Sequence, residues 1–374
     1  RSLLLGGHGR EINSIVNVGG GLFVTAGEDA TLRAFIEISS VLSSYLVNTQ
    51  PIGTSARILR CTDFGNHRLI VSGGAKAVMT AWTVSIDDSK CDPRSMLLHY
   101  STFQSSKYVK GKQVDTVLYG DLRIITLSLI QSNCSGATAF VVLSMSNGEI
   151  ELRYIPSTNP KNFLIHDWPL LAMLQSCNCP PVLSLDNDGA WVYGGNTNGD
   201  LMVWNVAESL NFVLSSASPV TTSIEPVWMS SSFHKCGING LGVILCSSIT
   251  KRIIVSGGDD QAIGLIYLDI DTGNTLWSAT FENAHASSVR DLSVCGDHHI
   301  CSIGLDQYLR VWKISEPKDS ESKICSIREV TSTLLQVLEP VSISVSSSTT
   351  VPNMYSMAVA GRGIETFSIC IDET

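Results

Sequence analysis

The chain has 374 residues, 44% of them hydrophobic and 16% charged, with a net charge of −9. That balance describes a well-filled core and excludes a protein that coats itself with nucleic acid, because phosphate affinity comes mainly from cations. No apolar run reaches the roughly 18 residues that span a membrane, and no secretory signal is present, so the expected setting is cytoplasmic.

In chain order, Ser2 to Leu5 is a short apolar run ahead of any repeat, and it reads as an outer strand lacking a blade. His8 follows, then Thr25, Asp29 and Phe35, a hydroxyl residue with an acid at +4 and an aromatic at +10. Ser72 and Trp82 keep that spacing, with Lys76 in place of the acid. Ser144 and Tyr154 form a weaker copy. Gly194, Asn198 and Trp204 keep the aromatic but lose the hydroxyl, and Ser256 and Asp260 are intact while Ile266 takes the aromatic slot. The complete copy is Ser302, Asp306 and Trp312, with His285 as far ahead of Trp312 as His8 is of Phe35. A shortened last copy runs from Met354 to Ile369, with Phe367 nearest the aromatic position.

Each copy pairs a β-branched apolar strand with a turn of Gly, Asp and Asn and then an alternating strand, which argues for antiparallel sheet. A four-stranded blade cannot bury both faces alone, so blades stack radially. His285 to Trp312 reads as one complete WD40 repeat, whose His, hydroxyl, Asp and Trp form a hydrogen-bonded chain. The predicted fold is all-β, a seven-bladed WD40 propeller over 1–374. Residues 1–5 are expected to join the last blade and close the ring. A start at Arg1 rather than Met reads as a segment of a longer, multi-propeller chain.

The repeat disarms a false active site. His285, Ser302 and Asp306 look like a hydrolase triad by residue type, yet partial copies stand in the same register elsewhere, so no catalytic residue is expected. The eleven cysteines lack zinc-site spacing: Cys177 and Cys179 are separated by one residue, and no second pair answers them. Cys246, Cys295 and Cys301 fall on apolar strands and read as reduced core thiols. Asn196 to Asp200 reads as a turn rather than a metal loop. His298-His299 reads as a hairpin with one ring outward, and 166–169 as a blade connection. The stretches 209–232 and 315–335 read as blade loops. No metal site is expected.

Interruptions of the register are where binding belongs. Trp82 to Tyr154 is the longest gap between aromatic slots. It holds an outer-strand candidate, Met96 to Phe103, and then a basic segment with Lys107, Tyr108, Lys110 and Lys112 leading to Asp115. Cations contact phosphates and aromatic rings stack on unpaired bases, so Lys107, Tyr108, Lys110 and Lys112 are candidate RNA-binding residues. That segment should share a propeller face with Lys76, with Arg10 and Arg290 near it.

Together, the strings Val24 to Arg33 and Ser72 to Trp82 and the Lys-rich segment resemble the last propeller of the WD-repeat-containing protein 6 family. The resemblance implies a non-catalytic partner of an FtsJ-like methyltransferase that places a 2′-O-methyl group on the wobble nucleotide of certain tRNA anticodons. S-adenosylmethionine would belong to the partner enzyme, and this chain would bind no cofactor. It would hold the enzyme against tRNA, acting through orientation. Two other readings stay open. One is another WD40 protein-interaction adaptor, for example a ubiquitin-ligase substrate receptor, although Trp82, Trp204 and Trp312 lack the Trp-Asp-x-Arg ending common there. The other is a propeller with a ligand in its central channel, which would need converging carboxylates or histidines on the inner strands. Ile12 to Val16 and Val182 to Leu185 show none.

Overall fold

The computed structural model describes residues 2–4, 8, 10–19, 21–38, 43–52, 54–64, 66–85, 97–104, 122–131, 139–155, 168–176, 180–214, 222–315, 325–347, 351 and 353–371. Strand β1 (Ser2–Leu4) stands apart in sequence from the blade it joins. Blade 1 is β2 (Ile12–Gly19), β3 (Leu22–Gly27), β4 (Thr31–Ile38) and β5 (Ser43–Pro51). Blade 2 is β6 (Ala56–Phe64), β7 (His67–Gly74), β8 (Val78–Ser85) and β9 (Leu97–Gln104). Blade 3 is β10 (Ile124–Gln131), β11 (Ala139–Met145), β12 (Ile150–Ile155) and β13 (Leu170–Leu174).

Blade 4 is β14 (Val182–Asn187), β15 (Trp191–Asn196), β16 (Leu201–Asn205) and, beyond helix α1 (Ala207–Leu214) and strand β17 (Thr222–Ile224), β18 (Trp228–Ser230). β17 crosses back to blade 3 and pairs with β13 in parallel. Blade 5 is β19 (Ile238–Leu245), β20 (Lys251–Gly258), β21 (Ile263–Asp269) and β22 (Asn274–Phe281). Blade 6 is β23 (Val289–Cys295), β24 (His299–Gly304), β25 (Tyr308–Ser315) and β26 (Ser326–Leu334). Blade 7 is β27 (Leu338–Ser347), the long β28 (Met354–Cys370) and β1, which pairs with β28 at Ser2 to Thr366 and Leu4 to Ile364. The stretches 209–232 and 315–335 are therefore more than loops: they supply the outer strands β18 and β26, because each blade needs a fourth strand to shield its third.

Seven apolar clusters, one between each adjacent pair of blades, form the core among the described residues. The seventh joins Ala358, Ala360 and Ile364 of blade 7 to Ile12, Ile15, Phe23 and Phe35 of blade 1, so the packing is cyclic. Second strands such as β3, β11 and β24 are buried at every position because a neighbouring blade covers each face.

The inner strands splay around a channel, and side chains from adjacent blades satisfy the amides they leave unpaired. Ser14 Oγ accepts from Leu59 N (3.0 Å), Ser344 Oγ from Asn17 N (2.8 Å), Asp186 Oδ2 from Val243 N (3.1 Å) and Asp291 Oδ2 from Ile343 N (2.9 Å). Residue numbers rise together across each junction, so the inner strands run parallel and all begin on one face, here called the front. The turns between second and third strands also lie there.

Candidate functional site

Three blades carry a closed polar chain. In blade 6, His285 Nδ1 binds Asp306 Oδ1 at 2.9 Å and Nε2 binds Ser302 Oγ at 2.8 Å, while Trp312 Nε1 donates to the same Oγ at 2.9 Å. In blade 1, His8 reaches Asp29 and Thr25, both at 2.8 Å. In blade 5, His234 reaches Asp260 at 2.9 Å and Ser256 at 2.8 Å. Burial lowers the His8 and His285 pKa values, outweighing the neighbouring Asp, so both rings are neutral at pH 7. Asp29 is held down at about 2, its hydrogen bonds to His8 and Thr31 outweighing burial.

The hydrogen bonds assign roles. Nδ1–H donates to the carboxylate, and Nε2 accepts the hydroxyl proton. This is the connectivity of a hydrolytic triad, but Ser302 is fully buried and its oxygen already accepts the Trp312 indole N–H. A nucleophile needs a substrate within reach, and Ser302 is sealed from solvent. The chain ties a front-face turn to the third strand.

The sequence missed His234. It stands 26 residues before Asp260, against 21 between His285 and Asp306. The extra residues lengthen the β19–β20 hairpin in both its strands and its turn, which moves the His out of fixed register. Phe233 packs edge-on against its ring at 5.5 Å and overlies Gly264, filling space that Ile266 leaves where other blades hold an aromatic.

Blade 3 corrects the sequence reading. In β11 and β12, Val141 pairs with Arg153 and Leu143 with Glu151, and the turn closes from Met145 to Glu149. The residues matching Ser302, Asp306 and Trp312 are therefore Leu143, Asn147 and Arg153, not a set built on Ser144 and Tyr154. A one-residue slip moves every side chain to the opposite face. Tyr154 accordingly lies in the next interface beside Phe140, at 5.6 Å. In the true slot, Arg153 donates to the buried Glu151 (2.6 Å) and to Trp168 O (2.6 Å), and lies 4.4 Å over the Phe103 ring. Trp168, read from sequence as a connection, is fully buried and stacks on Phe103 at 5.8 Å.

Blade 2 departs differently. Ser72 Oγ donates to Thr80 O, and Lys76 is exposed in a left-handed conformation, φ 58°. Its carbonyl accepts from Gln104 Nε2 at 3.3 Å. Gln104 is the last described residue before 105–121, and Leu122 is the first after it. The candidates Lys107, Tyr108, Lys110 and Lys112 thus lie outside the described residues. At the Asn196 turn, oxygens bind within the turn rather than converge: Asn196 Oδ1 accepts from Asn198 N and Asp200 N. His298 is exposed and His299 buried. Among the described residues, no three His, Cys, Asp or Glu side chains gather as a metal-ligand set.

The front mouth of the channel opens into a cavity of about 320 Å³ reached by all seven blades. Arg57 and Arg60 of blade 2 and Arg290 of blade 6 line it, with Glu11, Glu28 and Asp291. Arg10 is exposed just ahead of β2, and Arg123 is exposed immediately ahead of β10. Arg57 is exposed at the channel mouth, yet the surrounding ring desolvates it enough to lower its pKa, and the positive charges of Arg290 and Arg123 lower it further. Glu11 is ion-paired with Arg362 at 3.3 Å.

Beyond the stretches 12–16 and 182–185, the inner strands do carry carboxylates, Asp186 on β14 and Asp291 on β23. Asp186 and Asp291 are committed to neighbouring amides. Burial pushes each up to about 6, against the pull of Arg60 and the backbone donors. A raised carboxyl pKa means the folded state holds its proton more tightly than the unfolded chain. The cost is therefore full above pH 6 and relieved as pH falls toward 4. Asp291→Asn removes the buried charge and keeps one oxygen for Ile343 N, but its NH2 then meets Leu292 N, so it is expected to exceed wild type by only about 1 kcal/mol at pH 7.5. That advantage should vanish near pH 4 in urea unfolding. A difference that stays constant with pH would rule out a buried charge as its cause.

No protein-family model and no curated protein matches the chain. Among solved structures, the chain is similar to the WD40 β-propeller domain of Doa1, with a TM-score of 0.59 and 14% sequence identity, over 99% of this chain and 97% of that one. The chain has the WD40 propeller fold.

Proposed function

We propose that this propeller is a protein-interaction scaffold that positions an FtsJ-like methyltransferase for 2′-O-methylation of the tRNA wobble nucleotide. In that reading the partner enzyme carries S-adenosylmethionine, and this chain contributes surface and orientation in the cytoplasm. One observation carries the reading. At Lys76 the repeat position that holds a network Asp in blades 1, 5 and 6 instead presents an exposed cation on the front face, and its carbonyl accepts from Gln104, three residues before Lys107 in sequence. The strings that resemble the WD-repeat-containing protein 6 family, Val24 to Arg33 and Ser72 to Trp82, lie on β3 to β4 and β7 to β8. Both include front-face turns. A tRNA-sized polyanion would meet cations there despite the overall acidity.

The test is co-purification of the intact protein with its organism's FtsJ-like methyltransferases, followed by a tRNA 2′-O-methylation assay. A stable complex required for wobble methylation is the expected result, with Lys107, Lys110 and Lys112 replaced by Glu lowering methylation at least tenfold while the complex persists. Absence of any such complex would overturn the assignment. A second reading, a WD40 adaptor for other proteins, is favoured by the exposed apolar side chains of Leu305, Tyr308 and Leu338 on the front of blades 6 and 7.

A further inference from the structure

The front mouth of the channel brings together three arginines and three carboxylates, and most of the carboxylates have partners of their own. Arg57 enters from blade 2 and Arg290 from blade 6, blades that are not neighbours in the ring, so their guanidinium groups approach across the channel. Arg123, at the start of blade 3, does not line the cavity but stands close enough to Arg57 for its charge to lower the Arg57 pKa. The acids at the mouth are largely engaged elsewhere. Glu11 pairs with Arg362, and Asp291 accepts amide protons from Ile343 and Leu292. Glu28 is the exception, exposed on the blade 1 side. Arg290 Nε is buried with no hydrogen-bond partner among the described residues. A buried donor left unmet costs about 1–3 kcal/mol. Like charges gathered around a cavity, one of them with an unmet donor, describe a site awaiting an anion.

We propose that Arg57, Arg123 and Arg290 form a phosphate-binding site at the channel mouth that takes the sugar–phosphate backbone of RNA. The guanidinium fork suits phosphate oxygens, which it can bind two at a time. A single phosphate fits a cavity of this size, and the rest of a strand would run over the front face. The choice of RNA over another phosphate carrier rests on the reading given under Proposed function.

The experiment uses the whole protein and a fluorescent tRNA transcript, with anisotropy read at about 50 and 200 mM salt. Replacing Arg57, Arg123 and Arg290 together with Gln is expected to weaken binding at least tenfold. The same change should flatten the slope of log affinity against log salt by about 2, one phosphate contact contributing about 0.7–0.9. A control triple, Lys251→Gln, Lys313→Gln and Arg328→Gln, removes equal charge from the opposite side and should change affinity less than twofold. Glu28→Gln should strengthen binding, a gain that a damaged fold would not produce. Arg57→Gln alone, at an exposed side chain, covers the case in which the triple variant fails to fold, and should still weaken binding.

Equal losses in the two triples, or unchanged affinity in the arginine triple, would overturn the site. Arginine-dependent binding of a phosphorylated peptide without any of RNA would overturn the choice of RNA. Methyltransferase co-purification on the same preparations separates the two proposals. RNA binding lost with the arginines while no enzyme ever associates supports this site and sinks the scaffold reading; a bound enzyme with arginine-independent RNA binding does the reverse.

Discussion

Replacing His285 with Ala is expected to lower stability by about 3 kcal/mol, measured by urea unfolding with an unchanged m-value. The ring is fully buried and holds both Asp306 and Ser302. Its removal strands a carboxylate and a hydroxyl, each costing about 1–3 kcal/mol when unsatisfied. Ala286 N and Tyr308 N still reach Asp306, and Trp312 still donates to Ser302, which keeps the loss near the lower end. Adding Asp306→Ala should then cost less than it does in wild type, a coupling of about 1–3 kcal/mol in a double-mutant cycle. Additive losses would mean that the hydrogen-bonded chain does not act as a unit.

The pH dependence separates this mechanism from simple cavity formation. Burial lowers the His285 pKa below 6.5, so its contribution is complete above that value. As pH falls below 6.5, the unfolded chain takes the proton first and the contribution is lost toward the folded pKa. Asp306, also lowered, keeps its charge through that window because its own loss begins only below 3.8. The gap between wild type and His285→Ala should therefore narrow between pH 6.5 and 5. A cavity alone would leave the gap constant.

The fold was legible because blade physics repeats. Middle strands buried on both faces, polar turns, and a hydroxyl, acid and aromatic at fixed offsets are all local signals, and local signals survive in one sequence. Failure came where one residue decided the face. In blade 3 Ser144 and Tyr154 matched the spacing by residue type, yet the turn from Met145 to Glu149 sets the register one residue earlier. Arg153 then occupies an aromatic slot, a substitution that spacing cannot announce because its partners Glu151, Phe103 and Trp168 come from three different strands or connections. His234 escaped for the opposite reason, a lengthened hairpin rather than a changed residue. The channel mouth was half legible. Arg10 and Arg290 were placed near the front face from sequence, but Arg57 lies on β6, which carries no repeat signature, and only ring closure brings it opposite Arg290. The candidate RNA segment was legible as composition, and the structure supplies its two described ends, Gln104 and Leu122.

Trp204→Ala is expected to cost about 3–5 kcal/mol, a large single-residue loss for this chain. The indole is fully buried in the interface between blades 3 and 4, and its Nε1 donates to Gln175 O at 2.8 Å. That bond explains why blade 4 lacks the repeat hydroxyl. In blade 6 the indole N–H needs Ser302; in blade 4 it has a carbonyl, and the ring lies over Gly194 instead. A Cβ on Gly194 would stand 2.8 Å from Trp204 Cζ3 and 3.0 Å from Cη2. An indole locked between two blades cannot yield as a flexible chain end would. Gly194→Ser, which restores the repeat spacing, should therefore destabilise by about 1–3 kcal/mol instead of stabilising. Combined with Trp204→Ala, the added serine enters the cavity that the indole leaves, so its cost should fall toward zero. Non-additivity of that sign in denaturant unfolding locates the strain at the ring. Full cost in the double variant would place it in the backbone of β15.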